Sequence, residues 1–219
     1  MIKEQLELIS ASLGTNTTLV AVSKTHPIER IMEAYEAGQR DFGENKVQDL
    51  VEKYEALPKD IRWHMIGHLQ SNKVKYIAPF VHLIHGVDSF KLLQEINKQG
   101  QKNGRKISCL LQFHIAQEET KFGLSLDEAN AFLSNPEYLT LNQVQLCGVM
   151  GMATFTENVA QIRREFQSLH EIFHGLKSTH FSSTVAFKEI SMGMSDDYSI
   201  AIEEGSTLVR VGSKIFGKR

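Results

Sequence analysis

Eight times along this chain a short apolar run gives way to an amphipathic stretch, and that alternation confines the fold more than any other feature. The runs fall at 18–23, 41–43, 63–66, 81–84, 106–113, 144–149, 185–190 and 208–211. Between and after them, apolar residues recur at helical spacing over 27–37, up to about 56, 71–77, 90–102, 126–133, 157–176 and 196–204, with a short helix at the end. Near-continuous apolar strands alternating with helices predict a parallel sheet covered on both faces. Eight such units in 219 residues predict one α/β domain spanning 1–219, a (β/α)8 TIM barrel at the small end of its range. A doubly wound open sheet is the rival, but no Gly-x-Gly-x-x-Gly follows the first strand.

Charge and composition narrow the function classes. With 24 Lys+Arg against 26 Asp+Glu, the chain lacks the basic footprint of a nucleic-acid or acidic-membrane binder. Apolar runs stay well below the roughly 18 residues of a transmembrane helix. The opening MIKEQLELISASLG reads as an amphipathic helix and not a signal peptide. Cys109 and Cys147 each sit in an apolar run and read as small core residues. A soluble, cytoplasmic globular protein is expected.

In a (β/α)8 barrel, chemistry belongs at the C-terminal ends of the strands. Those positions hold Lys24, Asn45, His68, Asp88, Lys121, Met152, 191–195 and 210–213. Lys24 ends an apolar strand and should project into the mouth, where low dielectric favours a neutral, nucleophilic amine. Ser191, Met192, Gly193, Met194 and Ser195 end strand seven, and Arg210, Val211, Gly212 and Ser213 end strand eight. Ser195 is the expected N-cap of the next helix. Small residues in these two loops let backbone N–H groups approach an anion, at the usual phosphate position of this fold. A lysine for an aldehyde and a nest for a phosphate together suit pyridoxal 5′-phosphate, a vitamin B6 form.

A competing motif is His170-Glu171-Ile172-Phe173-His174, which matches the H-E-x-x-H zinc pattern. Here Ile162, Phe166, Leu169, Phe173 and Leu176 form the buried stripe, so both histidines should lie beside it toward solvent, far from the mouth. No metal site is expected. His82, His85 and His114 read as hydrogen-bonded strand histidines.

Eight blocks in order resemble the pyridoxal phosphate homeostasis proteins, the YggS-like or proline synthase co-transcribed family. They are AVSKTHP (21–27), FGENKVQDL (42–50), WHMIGHLQSNK (63–73), HGVDS (85–89), KFGLS (121–125), GVMGMAT (148–154), ISMGMSDD (190–197) and GSTLVRVGSKIFGKR (205–219). The resemblance implies a barrel related to the alanine racemase N-terminal domain, with pyridoxal phosphate held as a Schiff base, an internal aldimine, on Lys24. It implies that the phosphate is held by Ser191, Met192, Gly193 and Ser195 with Gly212 and Ser213. It also implies that Arg210 approaches the pyridine nitrogen, weakening the cofactor as an electron sink, and that Asn45 and the 150–152 segment line the ring. Some members carry a second lysine two positions after the first, where this chain has His26. The function implied is a carrier that holds the cofactor and hands it to apo pyridoxal-phosphate enzymes by transient contact, as a monomer, without turnover. The alternative is a fold-III enzyme such as a weak amino-acid racemase. That chemistry needs acid and base groups on both faces of the substrate carbon, and with few residues after Val211 no second catalytic domain is expected.

Overall fold

The computed structural model describes residues 2–117 and 122–217. Eight parallel strands close into a barrel in chain order: β1 (Thr18–Val22), β2 (Asp41–Glu44), β3 (Arg62–Met65), β4 (Leu83–Val87), β5 (Ile107–Gln112), β6 (Val144–Met150), β7 (Glu189–Ser191) and β8 (Leu208–Val211). β1 and β8 close the ring, with Thr18 beside Leu208 and Ala21 beside Val211. The expected (β/α)8 barrel is the fold observed. Around it run α1 (Ile2–Ser12), which precedes β1, then α2 (Ile28–Glu36), α3 (Val47–Ala56), α4 (Val74–Ile77), α5 (Phe90–Lys102), α6 (Leu126–Leu133), α7 (Val159–Thr179), α8 (Tyr198–Glu203) and α9 (Ser213–Phe216). Among the described residues no helix is long and apolar enough to cross a membrane.

Strand alternation divides the apolar residues into two cores. Leu19 and Ala21 of β1 face outward and join Phe42, Trp63, Ile84, Val149 and Val209 beneath the helices. The intervening Val20 faces inward and packs with Leu83, Leu110, Met150 and Leu208 in a small separate cluster. Cys147 packs partly against that inner cluster, Cys109 is fully buried in the outer one, and both are free thiols. The outer core exists because each helix turns one stripe inward. In α7 the stripe is Ile162, Phe166, Leu169, Phe173 and Leu176.

Three elements depart from the sequence reading. β4 covers Leu83–Val87 and not 81–84, because the Val81 N–H bonds to Ile77 and completes the turn that ends α4. β7 is only Glu189–Ser191, and Val185 of the expected run is 87% exposed. Successive turns link Phe181, Thr184 and Phe187 there, and Phe187 stacks on Phe181 and Phe173. α8 begins after Asp197, so Ser195 is not its N-cap. One glycine makes the β6–β7 contact possible. At Gly148, with φ 152°, a Cβ would collide with the Glu189 carbonyl oxygen.

Candidate functional site

The C-terminal ends of the strands open on a cavity of about 540 Å³. Lys24, Asn45, Ser195, Arg210, Gly212 and Ser213 all line it, together with Met152. Ser191, Met192 and Gly193 stand behind this wall. The Ser191 and Met192 side chains are fully buried, and the Gly193 carbonyl accepts the Arg210 backbone N–H at 3.0 Å. Lys121 lies outside the described residues.

The end of β1 is anchored from below. The Ser23 N–H bonds to Gly43 O at 3.0 Å, and its hydroxyl donates to Glu44 Oε1 at 2.6 Å. Lys53 of α3 donates to the same carboxylate oxygen at 2.6 Å and to Ser23 O at 2.9 Å. Burial nevertheless pushes the Glu44 pKa up, outweighing Lys53 and Ser23, and Oε2 lacks a hydrogen-bond partner among the described residues. The pair therefore specifies where the strand ends more than it adds stability. Thr25, directly after Lys24, adopts φ 67°, which β-branched residues rarely do. The chain thus turns sharply at Lys24. Beyond it, His26 stacks on Phe216 at 4.8 Å between centroids.

Opposite, the loops after β7 and β8 are tied together: the Gly212 N–H donates to Ser195 Oγ at 3.1 Å. The Asp197 carboxylate accepts the Met194 N–H at 2.5 Å, and burial raises its pKa. Gly212 packs closely on the end of β1: a Cβ there would lie 3.1 Å from Val22 O, tighter than an ordinary contact. Arg210 points inward from β8 and is 4% exposed. It donates to Ser191 Oγ at 2.5 Å and to Gly151 O at 3.1 Å. Burial lowers its pKa to about 10, with the Asp197 charge opposing, so it stays a cation at neutral pH. The cavity floor is a buried, correctly hydrogen-bonded guanidinium between an amine and a glycine–serine turn.

Several lining or supporting groups carry no motif of their own. Gln112 Nε2 donates to Phe122 O at 3.0 Å, holding the segment after β5. Glu165 lies in the buried stripe of α7 and accepts both the Thr154 N–H at 2.6 Å and its hydroxyl at 2.7 Å. A charged residue at a core-facing helical position was the one available signal for it. His68 bonds Asp88 at 3.1 Å and stacks on Phe122 at the rim. Away from the mouth, His170 is half-buried and not a surface group: its Nδ1–H donates to Glu204 O at 2.9 Å.

Fold and site define a barrel of the alanine racemase N-terminal domain type, and the chain matches that family over residues 1–219. Its sequence is 41% identical over 212 residues to a pyridoxal phosphate homeostasis protein of Aquifex aeolicus, covering 95% of this chain and 90% of the relative. The chain belongs to the pyridoxal phosphate homeostasis protein family. PipY of Synechococcus elongatus, at 35% identity, superposes with a TM-score of 0.93 without pyridoxal phosphate and 0.89 with it bound, covering 99% of this chain and 100% of PipY each time.

Proposed function

We propose that this chain holds pyridoxal 5′-phosphate in the mouth cavity, attached through Lys24, and hands it to apo enzymes without turnover of its own. The observation that carries the reading is the convergence on one cavity of Lys24 from β1, Arg210 from β8 and the Ser195–Gly212–Ser213 turn. These residues fit the group. The Gly212 turn is tightly packed on β1, its neighbouring hydroxyls and backbone N–H groups suit a phosphate, and Arg210 supplies the buried positive charge. Bound pyridoxal phosphate supplies an aldehyde that condenses reversibly with an amine. Lys24 provides that amine at the rim, where an incoming amine can reach it; Ser195 and Ser213 orient the phosphate. Arg210 opposes protonation of the ring nitrogen, which keeps the cofactor a weak electron sink and favours holding over chemistry. PipY, crystallised with pyridoxal phosphate, and the relatives named homeostasis proteins support the same reading.

A racemase reading draws on one observation, the His68–Asp88 pair at the rim, an imidazole oriented by a carboxylate. The test separates the two. Loaded protein mixed with an apo pyridoxal-phosphate enzyme should restore that enzyme's activity, with stoichiometric loss of cofactor from this chain. L-amino acids should emerge unchanged. Turnover above about 1 s⁻¹, the low end of ordinary enzyme rates, abolished by Lys24→Ala, would make the chain an enzyme.

A further inference from the structure

A line of polar side chains runs through the barrel from one mouth to the other. At the N-terminal mouth, Asp41 and Arg62 line a second cavity of about 360 Å³ together with His64. Arg62 holds both oxygens of Asp41, Nε to Oδ1 at 2.7 Å and Nη2 to Oδ2 at 2.5 Å. His64 Nε2 lies 3.0 Å from Asp41 Oδ1, and its Nδ1 lies 2.9 Å from His85 Nε2. His85 Nδ1 lies 2.9 Å from Ser191 Oγ, which accepts from Arg210 at the cofactor mouth. His64, His85, Ser191 and Arg210 are all buried.

The two ends give this chain a direction. Arg210 only donates, and the Asp41 carboxylate only accepts. With both rings neutral, His64 must carry its proton on Nε2 to meet Asp41, leaving Nδ1 to accept from His85 Nε2–H. His85 Nδ1 then accepts the Ser191 hydroxyl, whose lone pairs are turned to Arg210. Every hydrogen points from Arg210 toward Asp41. Burial beside His64 and Arg210 pushes the His85 pKa well below its usual value, consistent with a neutral ring. The same arrangement argues against a metal among Asp41, His64 and His82, whose ligand atoms lie within 4.8 Å of one another: Arg62 already holds both carboxylate oxygens.

We propose that Asp41, His64, His85 and Ser191 form a directional hydrogen-bond relay in which a carboxylate at the far mouth sets the donor geometry of Arg210 at the cofactor. This rests on the proposed binding of pyridoxal phosphate. The four are positioning residues. Because Ser191 donates to His85, its oxygen is a stronger and singly directed acceptor for Arg210. If the tautomers reverse, His85 donates to Ser191, which must share its lone pairs and leaves its own hydrogen without that acceptor. Arg210 would then present a different field to the ring.

Two measurements test the relay. In the unloaded protein, ring-nitrogen NMR should show both His64 and His85 protonated at Nε2 alone. Asp41→Ala removes the acceptor that fixes the His64 proton, so both rings should lose their single tautomer and show protonation at Nδ1 as well. In loaded protein that variant should shift the absorbance maximum of bound pyridoxal phosphate and raise its Kd severalfold. Glu189→Gln, at the same mouth but outside the relay, should change neither. A wild-type ring protonated at Nδ1, a doubly protonated His64, or an Asp41→Ala spectrum and Kd equal to wild type would overturn the relay. Uptake of no cofactor by the wild-type protein would instead refute the proposed function, and the relay's role with it.

Discussion

Thr25 holds a β-branched side chain at φ 67° next to the lysine on which the proposed function depends. Such a conformation costs about 1–3 kcal/mol and persists because the surrounding structure imposes it. Thr25→Gly removes the strain while adding unfolded-state freedom worth about 0.4–1 kcal/mol. Stability by urea denaturation should therefore hold or rise by up to about 2.5 kcal/mol, while cofactor retention through dialysis falls. Asp41 supplies a second residue-scale prediction. Burial raises its pKa, but hydrogen bonds from Arg62 and His64 outweigh that and hold it at about 2. A carboxyl depressed below its unfolded value of about 3.9 stabilises fully above that pH and loses the contribution as pH falls toward 2, about 2.6 kcal/mol in all. Asp41→Asn should flatten acid denaturation in that window, and an unchanged profile would show that the carboxylate is not paired in solution.

The helices and strands were legible where periodicity alone decides them. The stripe of α7 and the run at Leu208–Val211 are observed as expected. Illegible elements were those where an apolar residue serves something other than a strand. Val81 finishes a helix, and Val185 is exposed beyond a turn held by stacked phenylalanines. The H-E-x-x-H segment makes the same point from the other side. Its two histidines are not equivalent, since His170 ties α7 to the Glu204 carbonyl just after α8 and His174 is exposed. His170→Ala should cost about 1 kcal/mol, the worth of a typical hydrogen bond. His174→Ala should stay within about 0.5 kcal/mol. Equal effects on chemical denaturation would contradict this packing.

At the scale of the molecule, the barrel gathers residues as distant in sequence as Lys24 and Ser213 into one cavity. Lys24, Arg210 and the Gly212 turn were legible because strand ends were the only places to look. The inner relay was not, because His85 read as an ordinary strand histidine and Ser191 as part of the phosphate loop, and only barrel closure sets His64, His85 and Ser191 at successive 2.9 Å contacts. A ligand that binds only the folded barrel must stabilise it as a whole. At a hundred times its Kd, pyridoxal phosphate should add about 2.7 kcal/mol and raise the melting temperature by roughly 5–10 °C. Pyridoxal lacking the phosphate should do much less at the same concentration. Equal shifts would exclude the phosphate cradle.

The attachment point bears most directly on the account as a whole. Protein loaded with pyridoxal phosphate, reduced with borohydride and digested, should carry one pyridoxyl group on the peptide that contains Lys24, and Lys24→Ala protein should carry none. A label on Lys214 or Lys121, or one that persists at full stoichiometry in Lys24→Ala, would contradict it.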